Sequence, residues 1–169
     1  LCATAGAKLR GATRIITVDG IAERLAISKR MGADITINFR EKNPIDEIMK
    51  ITDGKGVDVA IEALGTQQTF ESCLRVLKPG GVLSSLGVYS GQLTLPGDAF
   101  ASGLADQTIV TTLCPGGKER MRRLLNVVES GRVDLKPLVT HRFRLDQIEE
   151  AYDLFANARD GVLKIAITP

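Results

Sequence analysis

Short apolar runs punctuate this chain at Arg14–Asp19, Ile35–Asn38, Val57–Ala63, Val82–Gly87, Ile109–Leu113 and Lys164–Thr168. They are mostly rich in β-branched residues and bounded by Gly, Asp, Asn or Pro, which suits short buried strands. Segments with helical spacing lie between them. Asn43 can cap a helix whose first residue is Pro44, with Asp46 and Glu47 near the positive end of the dipole and Ile45, Ile48 and Met49 on one face. Phe70, Leu74 and Leu77 form a second stripe, closed by Lys78-Pro79-Gly80-Gly81. Met121, Leu124, Leu125 and Val128 form a third, ended by Gly131, and Leu145, Ile148, Tyr152 and Phe155 a fourth. Strands alternating with helices predict an α/β fold: a Rossmann-like, doubly wound parallel sheet covered on both faces, with a C-terminal helix-strand segment.

The first run ends on an acid, Asp19. In a dinucleotide-binding βαβ unit, the acid at the tip of the second strand accepts hydrogen bonds from the adenosine ribose hydroxyls. The glycine fingerprint belongs about 20 residues upstream of such an acid, before Leu1. Residues 1–11, with Ala3, Ala5, Gly6 and Ala7, read as the small-residue helix that follows the fingerprint. The expectation is a sheet lacking its first, central strand, whose neighbours have lost a hydrogen-bond partner. Asp19 has a plainer reading too: it can end a strand and cap the helix that starts near Ile21.

Composition fits one sizeable core, at 169 residues and 44% hydrophobic. A net charge of +2 is too balanced to argue for a nucleic acid or a membrane surface as partner. No apolar run approaches the roughly 20 residues that span a bilayer, and no signal peptide opens the chain, so the expected location is cytoplasmic.

Cys2, Cys73 and Cys114 lack the Cys-x-x-Cys spacing of a zinc or redox site and read as ordinary buried or half-buried thiols. His141, the single histidine, stands in a Thr-His-Arg segment between a turn and a helix. It reads as a packing or hydrogen-bonding residue, since a general base needs a positioned partner. Lys118, Arg120, Arg122 and Arg123, beside Glu119, read as a solvated helix face with an i,i+4 pair.

An ordered series of short segments points further. Ala-Gly-Ala-Lys-Leu-Arg-Gly-Ala at 5–12, Gly-Lys-Gly-Val-Asp at 54–58, Lys-Pro-Gly-Gly at 78–81, Leu-Cys-Pro-Gly-Gly at 113–117 and Leu-Val-Thr-His at 138–141 occur in that order. In this series the chain resembles the C-terminal half of the zinc-type medium-chain alcohol dehydrogenases, nearest to the microbial secondary-alcohol branch. The resemblance implies a dinucleotide-binding domain over 1–113 and a segment over 114–169 that packs back on a catalytic domain. That packing would leave Val133, Leu138, Ile165 and Ile167 exposed or with a new partner in this chain alone.

By the same resemblance, Asp19 holds the adenosine ribose and Arg24 lies near that ribose or the adenine. Ala63, Leu64 and Gly65 line the nicotinamide ribose. Gly87, Val88 and Leu113 offer backbone groups to the carboxamide, and Lys164 approaches the pyrophosphate. On the residues alone, Arg24 and Lys164 read as solvated surface charges before contacts, and Gly65 and Gly87 as turn glycines.

A carboxylate at 19 repels the 2′-phosphate of NADP, so NAD is the expected cofactor. Many NADP-using secondary-alcohol relatives have Gly-Ser-Arg where this chain has Asp19-Gly20-Ile21. The family's zinc polarises an alcohol oxygen for hydride transfer. Its ligands belong to the N-terminal catalytic domain, and none can be assigned here, so the 169-residue chain by itself is expected to be inactive. The resemblance also implies a small alcohol or ketone substrate in the parent enzyme and a homodimer or homotetramer, the apolar edge run Ile109–Leu113 being suited to pairing.

Two alternatives stay open. One is a non-catalytic nucleotide-binding or self-associating module. The other is a flavodoxin-like or methyltransferase sheet, in which a strand-end acid can also meet a ribose.

Overall fold

The computed structural model describes residues 1–99, 106–113 and 116–169. They form helices α1 (Cys2–Leu9), α2 (Ala22–Arg30), α3 (Pro44–Ile51), α4 (Gln67–Arg75), α5 (Lys118–Glu129) and α6 (Ile148–Ala156). The strands are β1 (Ile16–Asp19), β2 (Ile35–Asn38), β3 (Val57–Glu62), β4 (Leu77–Ser85), β5 (Thr108–Thr111), β6 (Val139–Arg144) and β7 (Lys164–Thr168). The chain divides into two compact units, Leu1–Lys118 and Glu119–Pro169.

Every described strand pairing in the first unit is parallel, as the strand-helix alternation requires. β1 pairs with β2, Ile16 opposite Ile35 and Asp19 opposite Asn38. β4 lies between β3 and β5 in a second ribbon. Among the described residues, β1 pairs with β2 alone and β3 with β4 alone.

Helix starts follow local chemistry. The Asn43 side-chain oxygen accepts from the Ile45 amide at 2.9 Å, with Pro44 in the first turn, as the sequence predicts. Thr66 and Thr69 close a reciprocal capping box at the start of α4. One core cluster links β2, α3, β3, α4 and β4 through Ile37, Ile48, Ala60, Phe70, Leu74, Leu77 and Leu83. Phe70 and Leu74 are almost wholly buried, and burying such a side chain is worth about 1.5–3 kcal/mol.

Several expectations change. α4 ends at Arg75, and Leu77 opens β4 rather than closing the helix stripe. Lys78-Pro79-Gly80-Gly81 lies inside β4, where the register against β3 shifts between Val57 and Val59. Gly80 has φ +71° there, so the turn residues make a bulge within the strand.

In the second unit the expected helix-strand segment is a strand-helix-strand unit. β6 runs parallel to β7, His141 opposite Ile165 and Phe143 opposite Ile167, with α6 against both. His141 lies on a strand, β6, that runs between the turn at Lys136–Leu138 and α6. Its Nδ1 and Nε2 stand 2.9 Å from Thr140 Oγ1 and 3.1 Å from Asp160 Oδ2, which bears out a hydrogen-bonding role.

The apolar stripes of α5 and α6 do not become buried faces. No residue of α5 is buried, Leu145, Tyr152 and Phe155 are exposed, and Ala151 is the buried residue of α6. A stripe states that a helix has an apolar side, and only tertiary packing decides whether anything covers it. Of the residues expected to be exposed or to find a new partner, Leu138 is buried, Val133 and Ile165 are half-buried, and Ile167 is exposed. Glu119 pairs with Arg122 and Arg123 on the solvated face of α5, as expected. No described helix is long and apolar enough to cross a membrane.

Candidate functional site

In open parallel sheets, ligands bind beyond the carboxyl ends of the strands. The expected site residues of the first unit cluster at such ends. Asp19 is the last residue of β1. Its Oδ1 accepts from the Ile21 amide at 3.0 Å, so the plainer reading of this acid holds for one oxygen. Oδ2 has no hydrogen-bond partner among the described residues. Gly20, next to it, is buried against the Phe39 ring and the Arg40 guanidinium, which a β-carbon at 20 would strike. Arg24, half-buried in the first turn of α2, makes no side-chain hydrogen bond among the described residues.

Ala63, Leu64 and Gly65 follow β3, Gly87 and Val88 follow β4, and Leu113 lies just past β5. β3, β4 and β5 are adjacent, so three loops stand side by side. Their apolar side chains face solvent: Leu64 is 69% exposed, Val88 75% and Leu113 83%. Large apolar side chains bared together at strand ends suit a planar, partly apolar ligand. Lys164 opens β7 in the second unit and is exposed there.

Sequence reasoning misses Glu62, the last residue of β3. It is only 1% exposed. Its Oε1 accepts from the Leu64 amide at 2.9 Å, the Gly65 amide at 2.8 Å and the Thr69 hydroxyl at 2.7 Å. Its Oε2 accepts from the Tyr89 hydroxyl at 2.8 Å, and Tyr89 is 2.8 Å from Ser85 Oγ. A buried charge persists only when satisfied in this way. Burial pushes the Glu62 carboxyl up, and hydrogen bonds from Gly65, Thr69, Leu64 and Tyr89 outweigh it, holding it below its ordinary value. Burial and the bond to Glu62 push the Tyr89 phenol up, against a pull down from Ser85. The signal that could find Glu62 is phase: it stands two residues after buried Ala60 and therefore on the same inward face.

The cysteines split. Cys73 is half-buried, its thiol pushed up to about 12 by burial and by the Glu62 charge. Cys2 is exposed, contrary to expectation, because it opens α1 on a side that no described element covers. Cys114 lies outside the described residues. No group of three or more His, Cys, Asp or Glu side chains that could hold a metal occurs among the described residues. The described residues do not fit a zinc site.

The sequence profile described as "Zinc-binding dehydrogenase" matches residues 1–130. An alcohol dehydrogenase from Cupriavidus necator is 69% identical over 169 residues, covering 100% of this chain and 46% of its own length. An NADP-dependent isopropanol dehydrogenase from Thermoanaerobacter brockii is 40% identical over 97% of this chain and 47% of its own. Among solved structures, a Thermus alcohol dehydrogenase superposes with a TM-score of 0.87 at 28% identity, covering 99% of this chain and 47% of its own. The chain spans about half the length of these relatives. With a parallel α/β sheet, an acid at a strand tip and a matched profile over most of its residues, this chain belongs to the zinc-binding dehydrogenase family.

Proposed function

We propose that this chain is the cofactor-binding portion of an NAD-dependent alcohol dehydrogenase whose full natural chain interconverts small secondary alcohols and ketones. One observation carries the reading: Leu64, Val88 and Leu113 bare apolar side chains at the carboxyl ends of three adjacent parallel strands, while Asp19 ends β1. The division of labour follows strand order. Asp19, with Arg24, serves the adenosine half. Ala63, Leu64, Gly65, Gly87, Val88 and Leu113 serve the nicotinamide half. On this reading residues 1–113 are the dinucleotide domain and 114–169 the segment that packs on a catalytic domain.

Held by these residues, NAD would supply hydride transfer chemistry for the alcohol carbon. The described residues orient the ring and hold its ribose, and catalysis is assigned to the full natural chain. NAD is favoured over NADP because a carboxylate at 19 accepts from a free 2′-hydroxyl and repels a phosphate. β5 pairs with β4 alone among the described residues, and such an edge favours pairing with a second copy, which makes a homodimer or homotetramer the proposed assembly. A cytoplasmic enzyme fits this chemistry.

Spectrophotometric assay of the full natural chain with NAD and 2-propanol tests the function. NADH formation is the expected result. Failure to reduce NAD with any small secondary alcohol, in protein that is folded and zinc-loaded, overturns it.

A further inference from the structure

We propose that Glu62 is the positioning residue of the nicotinamide end, a buried carboxylate that fastens the loop after β3 to the loop after β4. The inference rests on the NAD-binding reading above and deepens it.

Two loops without regular structure must hold their shape if their backbone is to meet a ligand. Residues 63–65 are short of partners in the sheet, and Glu62 Oε1 supplies one oxygen to two consecutive amides, Leu64 and Gly65. The Thr69 hydroxyl on the same oxygen ties this loop to the first turn of α4. The other oxygen reaches across to Tyr89, so one side chain joins residues 27 apart in sequence.

Packing enforces the same register. A β-carbon at Gly65 would overlap the Val88 carbonyl oxygen, and one at Gly87 would overlap Glu62 Oε2. The loop after β4 has a second fastening on α4: Gln67 Nε2 donates to the Thr94 carbonyl and Gln67 Oε1 accepts from the Thr94 amide, both at 2.9 Å. Leu64 and Val88 are thereby presented outward from a rigid base, and Glu62 touches both loops without facing the ligand side itself. Removing the carboxylate strands two amides, takes one partner from each of two hydroxyls and lets the loops part. A distant strand end, at Asp19, shares none of these bonds.

The test is calorimetric binding to the full natural chain, using NAD as the probe of both halves and AMP as the probe of the Asp19 end alone. Glu62→Ala should weaken NAD by about tenfold or more, the size that about 1.4 kcal/mol gives, with AMP affinity kept within about twofold. Glu62→Gln keeps an acceptor for the two amides and a polar group toward Tyr89, and should recover most of the loss. Hydrogen exchange at the Leu64 and Gly65 amides should quicken in Glu62→Ala and recover in Glu62→Gln. Should Glu62→Ala fail to fold, Tyr89→Phe decides, with about threefold weaker NAD and unchanged AMP expected.

An unchanged NAD affinity in Glu62→Ala or, where that variant does not fold, in Tyr89→Phe, or equal losses for NAD and AMP, overturns the inference. A wild-type protein that binds no NAD overturns the proposed function first, visibly without any variant, and this inference with it.

Discussion

Gly65 and Val88 meet so closely across the ends of β3 and β4 that a β-carbon on Gly65 would overlap the Val88 carbonyl oxygen. Gly65 also has φ +96°, a conformation that side-chain-bearing residues rarely adopt. Clash and strain act together, so Gly65→Ala should lower unfolding free energy by about 2 kcal/mol or more. Denaturant unfolding of the full natural chain measures it; a loss under about 0.5 kcal/mol, the size of an ordinary surface change, would contradict the geometry.

The core around α4 makes a second prediction. Leu74 is fully buried in the cluster that joins β2, α3, β3, α4 and β4. Leu74→Ala removes buried methyl groups and leaves a cavity, which typically costs about 2–5 kcal/mol. Lys55→Ala, on the exposed turn before β3, should stay within about 0.5 kcal/mol. Comparable losses from the two substitutions would deny the core this location.

Glu62 makes stability depend on pH in a set direction. Its folded value lies below the ordinary 4.5, so its contribution is fully present above 4.5 and is lost as pH falls through the folded value. Glutamine does not titrate. The stability gap between the wild type and Glu62→Gln should therefore be flat from about pH 8 to about pH 5.5 and narrow toward acid. Urea titrations at intervals of pH read this out, and a gap that widens toward acid would mean that the carboxyl is held above its ordinary value.

Cys73 should be inert. With its thiol pushed up to about 12, almost no thiolate exists near pH 8, and the thiolate is the reacting form. Iodoacetamide should leave Cys73 unlabelled in the native protein and label it after unfolding, as peptide mass analysis would record. Native labelling at the rate of a free thiol would place Cys73 in a different environment.

Features written in a few neighbouring residues are legible in the sequence itself. The Asn43-Pro44 start of α3 and the acid closing β1 depend on local hydrogen bonds and on strand ends, and both stand where the sequence puts them. β6 is not legible, because Arg142 and Arg144 alternate with His141 and Phe143 and mask a strand whose inward side is apolar only in part. Lys78-Pro79-Gly80-Gly81 reads as a turn and is a bulge inside β4, since pairing with β3 overrides turn chemistry. Of the candidate site, the strand-end residues are legible by position. Glu62 is not, because its importance lies in partners at Thr69 and Tyr89 that only the folded chain brings to it. The stripe on α5 is visible, but what covers it is not a property of the stripe.

The most direct measurement is the affinity of the full natural chain for NAD and for NADP, taken by calorimetry on the wild type and on Asp19→Ala. The carboxylate at the end of β1 predicts NAD binding tighter than NADP by about tenfold or more, a preference of about 1.4 kcal/mol or more, with the gap largely closed in Asp19→Ala. Equal or tighter binding of NADP by the wild type, or a preference for NAD that survives the loss of Asp19, would contradict the account.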